Sequence, residues 1–184
     1  MEYLDIRNRD GSITGQIKER SLVHTDGDLH GTVHIFIIRR SAEEYEVLLQ
    51  KRSQDKDAYP GCYDISSAGH VSAGQTYIEA ALRELEEELG ISATESQLHF
   101  LGYHEGQDQH IFHGKIFRNH ELAAVYLYEE AVDETSLILQ EEEVDSVRWF
   151  TLQECKEKAE AQDPDYCLFL TELEMIEAAL THQA

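Results

Sequence analysis

The sequence predicts an α+β domain, an α/β/α sandwich in which a mixed β-sheet lies between helices. Three observations lead to this prediction: a short N-terminal hairpin, a series of strand-like runs, and separate segments whose apolar residues recur at helical spacing. The chain has 184 residues, a length that suits one domain with a sizeable hydrophobic core. We therefore expect residues 1–184 to form a single domain.

The strands are predicted from composition and alternation. Residues 1–21 form the N-terminal hairpin, which turns at Asp10-Gly11, a dipeptide typical of tight hairpin turns. The later strand-like runs are rich in β-branched and aromatic residues, and these frequently alternate with polar ones. They cover residues 31–40, 45–52, 63–71, 98–106, 110–117, 121–130 and 144–152.

One helix is predicted in the middle of the chain, over Thr76–Leu89. Thr76 and Glu79 have the spacing of a capping box, in which each residue satisfies a backbone N–H of the other. Gly90 stands where a glycine commonly ends a helix. Both ends of this helix are therefore marked in the sequence.

A second helix is predicted over residues 164–184, where apolar residues from Leu168 to Leu180 recur at helical spacing. This apolar stripe can pack on the sheet of its own chain or on a second copy. A homodimer is therefore one of two open interpretations. A shorter helix is expected over residues 152–161.

The charge of the chain restricts its partners. The formal net charge is −22, and so acidic a surface repels polyanions, which argues against a nucleic-acid polymer as partner. A small phosphorylated substrate is compatible with this charge only if something cancels charge locally. A divalent cation would do so.

Cysteine content and hydropathy indicate the compartment. The three cysteines are few and scattered, and they form no CxxC pattern, so neither a disulfide framework nor a cysteine metal site is predicted. No apolar run approaches the roughly 20 residues that span a bilayer. The N-terminus also lacks the features of a signal peptide. We therefore expect a cytoplasmic protein without a membrane partner.

The predicted central helix carries an unusual concentration of acid, with five glutamates among residues 79–88. At 100° per residue, Glu84, Glu87 and Glu88 fall within an arc of about 100°. Like charges one turn apart destabilise a helix, and a bound dication would relieve that repulsion. Carboxylates suit Mg²⁺ or Mn²⁺, and the backbone carbonyl of Gly69 can add an oxygen ligand. The alternative is a solvated acidic face.

This segment resembles the Nudix box, which is a glycine, five residues, a glutamate, seven residues, and then Arg-Glu-apolar-x-Glu-Glu-x-Gly-apolar. Here Gly69 is followed after five residues by Gln75, and after seven more by Arg83-Glu84-Leu85-Glu86-Glu87-Glu88-Leu89-Gly90-Ile91. Only Gln75 departs from the pattern. The resemblance implies the Nudix fold and hydrolysis of the diphosphate linkage in a nucleoside diphosphate derivative.

The resemblance also implies roles for the box residues. Glu84, Glu87 and Glu88, with the Gly69 carbonyl, would hold Mg²⁺ or Mn²⁺. Glu84 is the first choice for the base that accepts a proton from the attacking water, with Arg83 holding it in place. Because Gln75 brings no charge, it leaves the number of metals open.

A wider resemblance, over about residues 1–155, is to the isopentenyl diphosphate isomerase branch. It rests on Leu48-Leu49-x-Lys51-Arg52, on Lys56-x-x-x-Pro60-Gly61-x-Tyr63, and on the segment from His24 to His30. The isomerase carries a catalytic cysteine just before the Gly-His pair, where this chain has Ala68. The resemblance therefore does not carry the isomerase chemistry to this chain.

The same branch suggests residues outside the box. Glu121 stands where a glutamate reaches the metal site, although a solvated turn residue is equally compatible with the sequence. A second, histidine-rich metal site would use His24, His30 and His70, with ordinary surface or core histidines as the alternative. The acidic run at residues 141–143 is expected to be a solvated loop, with an approach of one residue to the metal as the alternative.

The predicted substrate contacts are Lys51, Arg52, Tyr63 and His70. Arg52 can clamp phosphate oxygens in a bidentate manner, and pairing with the many acids of the chain is the alternative for it and for Lys51. Tyr63 can wall a pocket or pack in the core. The sequence as a whole leaves three candidate functions. They are a diphosphate hydrolase, a ligand-binding domain without catalysis and, least supported, an isomerase.

Overall fold

The computed structural model describes residues 1–42, 44–56, 58–112 and 114–181. Its strands, numbered in chain order, are β1 Tyr3–Arg7, β2 Ile13–Glu19, β3 His30–Ser41, β4 Glu44–Arg52, β5 Tyr63–Asp64, β6 Ser67–His70, β7 Leu98–Phe112, β8 Lys115–Tyr128, β9 Val144–Thr151 and β10 Tyr166–Cys167. Its α-helices are α1 Arg20–Asp26, α2 Tyr77–Leu89, α3 Leu152–Glu160 and α4 Leu170–Thr181.

Strand β3 organises a mixed sheet. It pairs antiparallel with β4 and β6 and parallel with β8, and β8 forms a long antiparallel hairpin with β7. Strand β4 continues the sheet through β9 and β5, and the short β10 adds to β5 in parallel. The expected mixed sheet is therefore confirmed.

The two faces of β3 bury different residues because successive side chains of a strand point to opposite faces. Val33, Ile35 and Ile37 pack in the core that includes Leu85 and Leu89 of α2. Phe36 and Ile38 pack in the second core, which contains residues of α3 and α4. Helices thus cover both faces of the sheet, and the predicted α/β/α sandwich is confirmed.

The apolar stripe of the C-terminal helix is occupied within the chain. Leu173, Ile176 and Leu180 are buried in the second core with Phe36 and Leu127 of the sheet. Of the two interpretations of this stripe, packing on its own sheet is the one the structure supports. No helix in the described ranges is long and apolar enough to cross a bilayer.

The predicted start of the C-terminal helix, at residue 164, is wrong. Tyr166 and Cys167 form β10 against β5, and α4 begins at Leu170. Helical periodicity could not show this pairing, because the pairing depends on a strand about one hundred residues earlier in the chain. Residues 182–184 of the predicted helix lie outside the described residues.

The N-terminal hairpin is present as β1 and β2, but the segment that follows differs from expectation. A short helix, α1, begins at Arg20 and ends at Asp26, and the left-handed conformation of the following residue, Gly27 (φ 74°), terminates it. The helix buries Val23 and His24. This helix was not predicted, since its seven residues are too few to show a periodic pattern.

Two strand predictions also needed tertiary information. The run at 63–71 is interrupted after Asp64, where the Ser66 hydroxyl donates to the Leu48 carbonyl and accepts from the Ile37 N–H. The run at 110–117 spans the end of the β7–β8 hairpin, in which Phe112 pairs with Lys115. Each of these two runs looks continuous in the alternation of the sequence, but the Ser66 hydrogen bonds divide the first into two strands and the hairpin turn divides the second.

Candidate functional site

A large cleft of about 2180 Å³ contains most of the predicted site. It lies beside α2 and β6 and extends along β8 to the start of α4. Among the described residues, four Lys and Arg side chains and fourteen Asp and Glu side chains line it. The cleft is therefore strongly acidic before any ion is bound.

Helix α2 is fixed at both ends and along one side. Thr76 and Glu79 form the complete predicted capping box, and Gly90 ends the helix with φ 70°. The apolar side of the helix is buried against the sheet. This anchoring presents the glutamates of the other side to the cleft.

Glu88 is the most firmly held of these glutamates. Its side chain accepts hydrogen bonds from Ser67 Oγ at 2.7 Å, the Ala68 N–H at 3.2 Å and Gln50 Nε2 at 3.3 Å. The residue is buried, and burial raises its pKa, although the bonds from Ser67 and Ala68 oppose the rise. A carboxylate with several donors on one oxygen is positioned and keeps acceptor capacity for a cation.

Glu84 lies directly against Gly69. A Cβ added at Gly69 would stand only 1.9 Å from Glu84 Oε1, so the carboxylate occupies the space that a side chain would take. Burial and the neighbouring Glu88 raise the pKa of Glu84 to about 7, despite Arg83 Nη1 at 2.8 Å. This carboxyl group changes protonation near neutral pH, as a base in catalysis should.

Arg83 connects the box residues. Its Nη1 contacts Glu84 and Glu87, and its Nη2 donates to the His70 carbonyl at 2.9 Å. The expected orientation of Glu84 by Arg83 is therefore present. Glu87 is half exposed, with 53% of its side chain accessible.

Among the described residues, the three glutamates do not form a tight ligand cluster, because their oxygens do not all lie within 4.8 Å of one another. The open spacing suits a hydrated ion, and Mg²⁺ usually keeps several waters in its coordination shell. The side-chain donors are all carboxylate oxygens, and the residue whose carbonyl was predicted as a further ligand, Gly69, lies against Glu84. These residues therefore fit Mg²⁺ or Mn²⁺ chemically.

The predicted histidine cluster is assembled in the structure. His24 comes from α1, His30 from β3 and His70 from β6, and their ligand atoms all lie within 4.8 Å of one another. His24 Nε2 and His70 Nε2 are 3.1 Å apart. Three segments that are distant in sequence thus bring imidazole nitrogens to one point.

The hydrogen bonds of the cluster select its tautomers. The Nδ1 atoms of His24 and His30 lie 3.4 Å and 3.0 Å from the carbonyls of Arg118 and Asp28, which can only accept. With the proton on Nδ1, each Nε2 is unprotonated and carries a lone pair. His30 Nε2 is buried without a partner among the described residues. A backbone carbonyl on the outer nitrogen is a common support for a metal-ligating histidine.

The cluster is uncharged at neutral pH. Burial, with smaller contributions from the charges of His30 and Arg20, lowers the pKa of His24 to about 3. Burial also lowers the pKa of His30 and of His70. Neutral imidazoles are the form that binds metal, so the cluster fits a transition-metal ion such as Zn²⁺ or Mn²⁺.

Glu121 of β8 pairs in register with His30 of β3, so it lies next to the histidine cluster, and its side chain faces His34. His34 Nδ1 contacts Glu172 Oε1 at 2.7 Å, while His34 Nε2 lies 4.0 Å from Glu121 Oε1. Burial opposes the charged ring, but Glu172, Glu121 and Asp64 outweigh it and raise the pKa of His34 to about 9. Glu121 is itself buried and is not a solvated turn residue.

The predicted substrate contacts separate into two groups. His70 and Arg52 line the cleft, whereas Lys51 and Tyr63 do not. Arg52 is already paired, with Asp64 at 2.8 Å and with the Ala58 carbonyl. The structure therefore gives Arg52 the structural partner that the sequence left as its alternative.

Lys51 and Tyr63 have other contacts. The Lys51 ammonium lies 5.8 Å from the centre of the Tyr63 ring, and that ring packs against Phe150 and Tyr166. Lys51 points away from the cleft because adjacent strand residues face opposite sides. The structure does not support either residue as a substrate contact.

Three cleft residues were not predicted from the sequence as site residues: Lys56, His34 and Glu172. Lys56 forms an ion pair with Glu143, so the 141–143 run approaches the cleft and is not only a solvated loop. The alternation of β3 marked His34 as a strand residue. The contact with Glu172 joins positions 138 residues apart, which no local pattern indicates.

Gln75, the departure from the box pattern, does not line the cleft. Its backbone N–H donates to the Ser72 carbonyl at 2.9 Å, in the turn before α2. Its side-chain oxygen is buried without a partner among the described residues. The uncharged side chain therefore removes no carboxylate from the cleft wall.

Comparison with solved structures shows the fold. A crystal structure from Deinococcus radiodurans aligns with a TM-score of 0.62 at 20% identity and covers 87% of this chain and 90% of that chain. The Ap4A hydrolase of C. elegans, in a binary complex, aligns with a TM-score of 0.54 at 22% identity and covers 83% and 98%.

Three curated sequences are similar over most of the chain. Nudix hydrolase 3 of Arabidopsis thaliana is 40% identical over 90% of this chain but over only 21% of its own length. An uncharacterized Nudix hydrolase of Clostridium acetobutylicum is 36% identical, covering 78% of this chain and 66% of that protein. One from Listeria monocytogenes is 33% identical, covering 77% and 82%.

This chain therefore spans less than two thirds of the Arabidopsis and Clostridium relatives. The family model described as NUDIX domain matches residues 28–169, which include the whole glutamate helix and its glycine. The matched range is well over half of the chain. The chain belongs to the NUDIX domain family.

Proposed function

We propose that this protein is a Mg²⁺- or Mn²⁺-dependent hydrolase that cleaves the diphosphate linkage of a nucleoside diphosphate derivative or a related small diphosphate. The observation that carries the proposal is the pair of buried carboxylates, Glu84 and Glu88, held at the cleft wall next to Gly69. Burying two carboxylates together is costly unless a cation or a proton neutralises them.

The charge of the cleft supports the need for a metal. Each of its four Lys and Arg side chains already has an acidic partner: Arg20 with Glu2, Arg52 with Asp64, Lys56 with Glu143, and Arg83 with Glu84 and Glu87. A diphosphate therefore finds no uncommitted Lys or Arg among the described cleft residues. Divalent ions would supply the missing positive charge.

Glu84, Glu87 and Glu88, with the Gly69 carbonyl, would hold the ion. When bound, Mg²⁺ or Mn²⁺ neutralises diphosphate oxygens and lowers the pKa of water at the site. The residues of the chain then perform the proton transfer. Glu84 accepts a proton from water as the water oxygen bonds to phosphorus and the phosphorus–oxygen bond of the anhydride breaks.

Arg83 would act by positioning. Its contacts with Glu84 and with the His70 carbonyl tie the base to strand β6, and hence to Gly69. Glu121 is the second candidate for the base, but it lies beside His34 and His30, next to the histidine cluster and not against Gly69 on the glutamate helix. The geometry therefore favours Glu84.

We also propose that His24, His30 and His70 bind a second metal ion. Support comes from the fixed tautomers and from the unpartnered His30 Nε2 among the described residues. His70 directly follows Gly69, so the two metal positions would share strand β6. The second ion would add positive charge to a cleft that otherwise repels anions.

A ligand-binding domain without turnover is the alternative. The presence of Gln75 in the box suggested this alternative. Because Gln75 does not line the cleft, it gives the ligand-binding alternative little support. An isomerase is less supported, since Ala68 occupies the position of the thiol. Both alternatives are decided by the experiment below.

The test is turnover of a diphosphate panel with Mg²⁺ or Mn²⁺ by the wild type, by Glu88→Gln and by Glu86→Gln. The panel contains nucleoside di- and triphosphates, nucleotide sugars, dinucleotides and isopentenyl diphosphate. We expect wild type and Glu86→Gln, whose residue is exposed on the same helix, to release phosphate products. Glu88→Gln should be at least about a hundredfold slower.

Equal rates for wild type and Glu88→Gln would contradict the proposal. Binding without product over hours would support the ligand-binding alternative. Conversion between isopentenyl and dimethylallyl diphosphate would support the isomerase.

A further inference from the structure

A cluster of aromatic rings outside the cleft carries a cation on each ring. The centre of the Tyr63 ring lies 5.0 Å from that of Phe150 and 5.4 Å from that of Tyr166, at the edge of the second core. One Lys or Arg side chain lies over each of these rings, at 5.8, 4.9 and 5.1 Å from the ring centre respectively. We call these six residues the cation–aromatic patch: Lys51, Tyr63, Arg148, Phe150, Lys158 and Tyr166. Of the six, only Tyr166 lines the cleft.

The register of the sheet brings two of the cations together. Lys51 of β4 pairs with Tyr63 of β5, and Leu49, which shares a face of β4 with Lys51, pairs with Arg148 of β9. Lys51 and Arg148 are therefore diagonal neighbours on adjacent strands, and long side chains in that arrangement can interact. Their like charges repel one another, and a negatively charged group bound between them would relieve the repulsion.

Neither of these two cations has an acidic partner among the described residues, although acids are abundant. The chain contains 37 Asp and Glu against 15 Lys and Arg, and most of its Lys and Arg side chains form ion pairs. Lys158 is one of them, with Asp163 at 2.9 Å. An aromatic ring orients a cation but does not neutralise it, so Lys51 and Arg148 keep their charge and their N–H donors for a ligand.

The patch has the composition of a protein interface. Aromatic residues and Arg are enriched at the centres of such interfaces, where they contribute much of the binding energy. Phe150 is buried in the second core, whereas Arg148 is exposed and Lys51 and Tyr63 are half-buried. The rings therefore form a supported base from which positive charge reaches the surface.

The position of Arg148 on the sheet favours a polypeptide as the partner. Among the described strands, β9 pairs with β4 alone, so a further strand can add along its outer edge. A nucleic acid has no such backbone, and the phosphates beyond the patch would meet the surface of a chain with net charge −22. A short acidic peptide places only a few charges there.

We infer that the cation–aromatic patch is a docking site for an extended acidic segment of another protein. A carboxylate of the segment pairs with Arg148, in the bidentate geometry that guanidinium groups favour, and a second carboxylate pairs with Lys51. The contact area is small and the charges are at the surface, so binding is weak and sensitive to salt. The inference does not rest on the proposed function, because these cations lie outside the cleft.

The test is fluorescence anisotropy with short labelled probes. Octaglutamate is the acidic peptide, octaserine is the uncharged peptide, and oligothymidylate of the same length is the nucleic-acid probe. Each is titrated with wild type, Arg148→Gln, Lys51→Gln and the control Arg40→Gln. Arg40 is a matched control because it is also exposed and lies over one ring, that of Tyr45, at 5.9 Å. Thermal unfolding confirms that each variant is folded.

We expect octaglutamate to bind wild type and Arg40→Gln equally, and octaserine and oligothymidylate to bind neither. Arg148→Gln should weaken octaglutamate binding by about tenfold, the effect of losing a hydrogen-bonded charge pair, and Lys51→Gln by about threefold. Raising NaCl from about 50 mM to about 200 mM should weaken binding to wild type by at least about twofold, because salt screens the charges. Turnover of the diphosphate panel should be unchanged in Arg148→Gln.

Absence of octaglutamate binding to wild type would overturn the inference. Equal binding to Arg148→Gln, Lys51→Gln and Arg40→Gln would do so as well, because attraction would then not depend on the patch. Oligothymidylate that binds more tightly than octaglutamate, and is lost in Arg148→Gln, would make the patch a nucleic-acid site instead. If octaglutamate binds as expected but the panel gives no turnover, the inference stands and the proposed function falls.

Discussion

The glutamates of α2 and the histidine cluster are neighbours that are built in opposite ways. The glutamates lie within five residues of one helix, and their like charges repel one another. The histidines come from α1, β3 and β6, and burial keeps them neutral. The first group concentrates negative charge that a cation or a proton would offset, whereas His24 and His30 of the second each direct Nδ1 at a backbone carbonyl and leave Nε2 with a lone pair.

Strand β6 joins the two groups, since Gly69 faces Glu84 and His70 belongs to the histidine cluster. One short strand therefore contributes neighbouring residues to two clusters of different chemistry. We expect that each cluster can be damaged separately.

Gly69→Ala should damage the glutamate site most. The new Cβ would stand 1.9 Å from Glu84 Oε1, so the carboxylate must move by more than an ångström. Displacements of about 1 Å in a catalytic group can cost roughly a hundredfold in rate. We expect such a loss in kcat/KM on any substrate found in the panel, with the melting temperature little changed because the flexible Glu84 side chain can rotate away.

The histidine cluster supplies the internal control for this variant. Metal binding at His24, His30 and His70 should be retained in Gly69→Ala, because only the neighbouring residue changes. Wild-type activity in Gly69→Ala would show that the position of Glu84 against Gly69 is not needed. Loss of both metal sites together would contradict their independence.

His24→Asn should have the converse effect. If the cluster binds Zn²⁺ with the ion at about a hundred times Kd, the wild type gains about 2.7 kcal/mol, or roughly 5–10 °C in melting temperature for a chain of this size. His24→Asn should lose most of this increase. Thermal unfolding with and without Zn²⁺, after treatment with a chelator, measures it.

His99→Asn is the matched control, since His99 is exposed on β7. It should keep the full Zn²⁺-dependent increase, and Glu87→Gln should keep it as well. An equal increase in His24→Asn and His99→Asn would place the ion elsewhere. No increase in any of the proteins would argue that the cluster is a hydrogen-bonded core group.

The two groups also differ in how far the sequence predicted them. The positions of Glu84, Glu87 and Glu88 follow from helical geometry, and the capping residues Thr76 and Gly90 mark the ends. Their arrangement needs only local rules. The predicted helix, its capping residues and the contact between Arg83 and Glu84 are present in the structure, and the metal-binding and catalytic roles of these residues stay predictions.

The histidines and the contact of His34 with Glu172 depend on pairings between distant segments. The sequence suggested His24, His30 and His70 only through a family resemblance. It did not indicate the helix that carries His24 or the contact of His34 with Glu172. The sequence also suggested Lys51 and Tyr63 as substrate contacts, and neither residue lines the cleft in the structure.

The pH dependence of the free energy of unfolding should show whether Glu84 is protonated or ionised in the folded protein. The pKa of Glu84 is raised from its ordinary value of 4.5 to about 7 in the folded protein. Between these values the folded state binds more protons than the unfolded state, so the free energy of unfolding falls as pH rises through this window. In metal-free protein, ionisation of Glu84 lowers the free energy of unfolding by at most about 3 kcal/mol.

Glu84→Gln has no carboxyl group at this position, so it lacks this pH-dependent loss of stability. The histidines contribute equally to the pH dependence of both proteins. The difference between the two proteins in free energy of unfolding, measured with urea and a chelator, should therefore grow in favour of Glu84→Gln from pH 5 to pH 7.5. A constant difference over that range would contradict the raised pKa. Added Mg²⁺ should reduce the difference, because it stabilises only the wild-type carboxylate.

Gln75→Glu should have the smallest effect, although it restores the one missing residue of the box pattern. Gln75 does not line the cleft, so a carboxylate there adds no ligand at Glu84 or Glu88. We expect kcat/KM and the number of bound metal ions to change by less than about twofold, with a modest loss of stability because a partly buried side chain gains charge. A tenfold gain in rate, or an additional bound ion in a metal titration, would instead place position 75 at the metal and extend the acidic site beyond the helix.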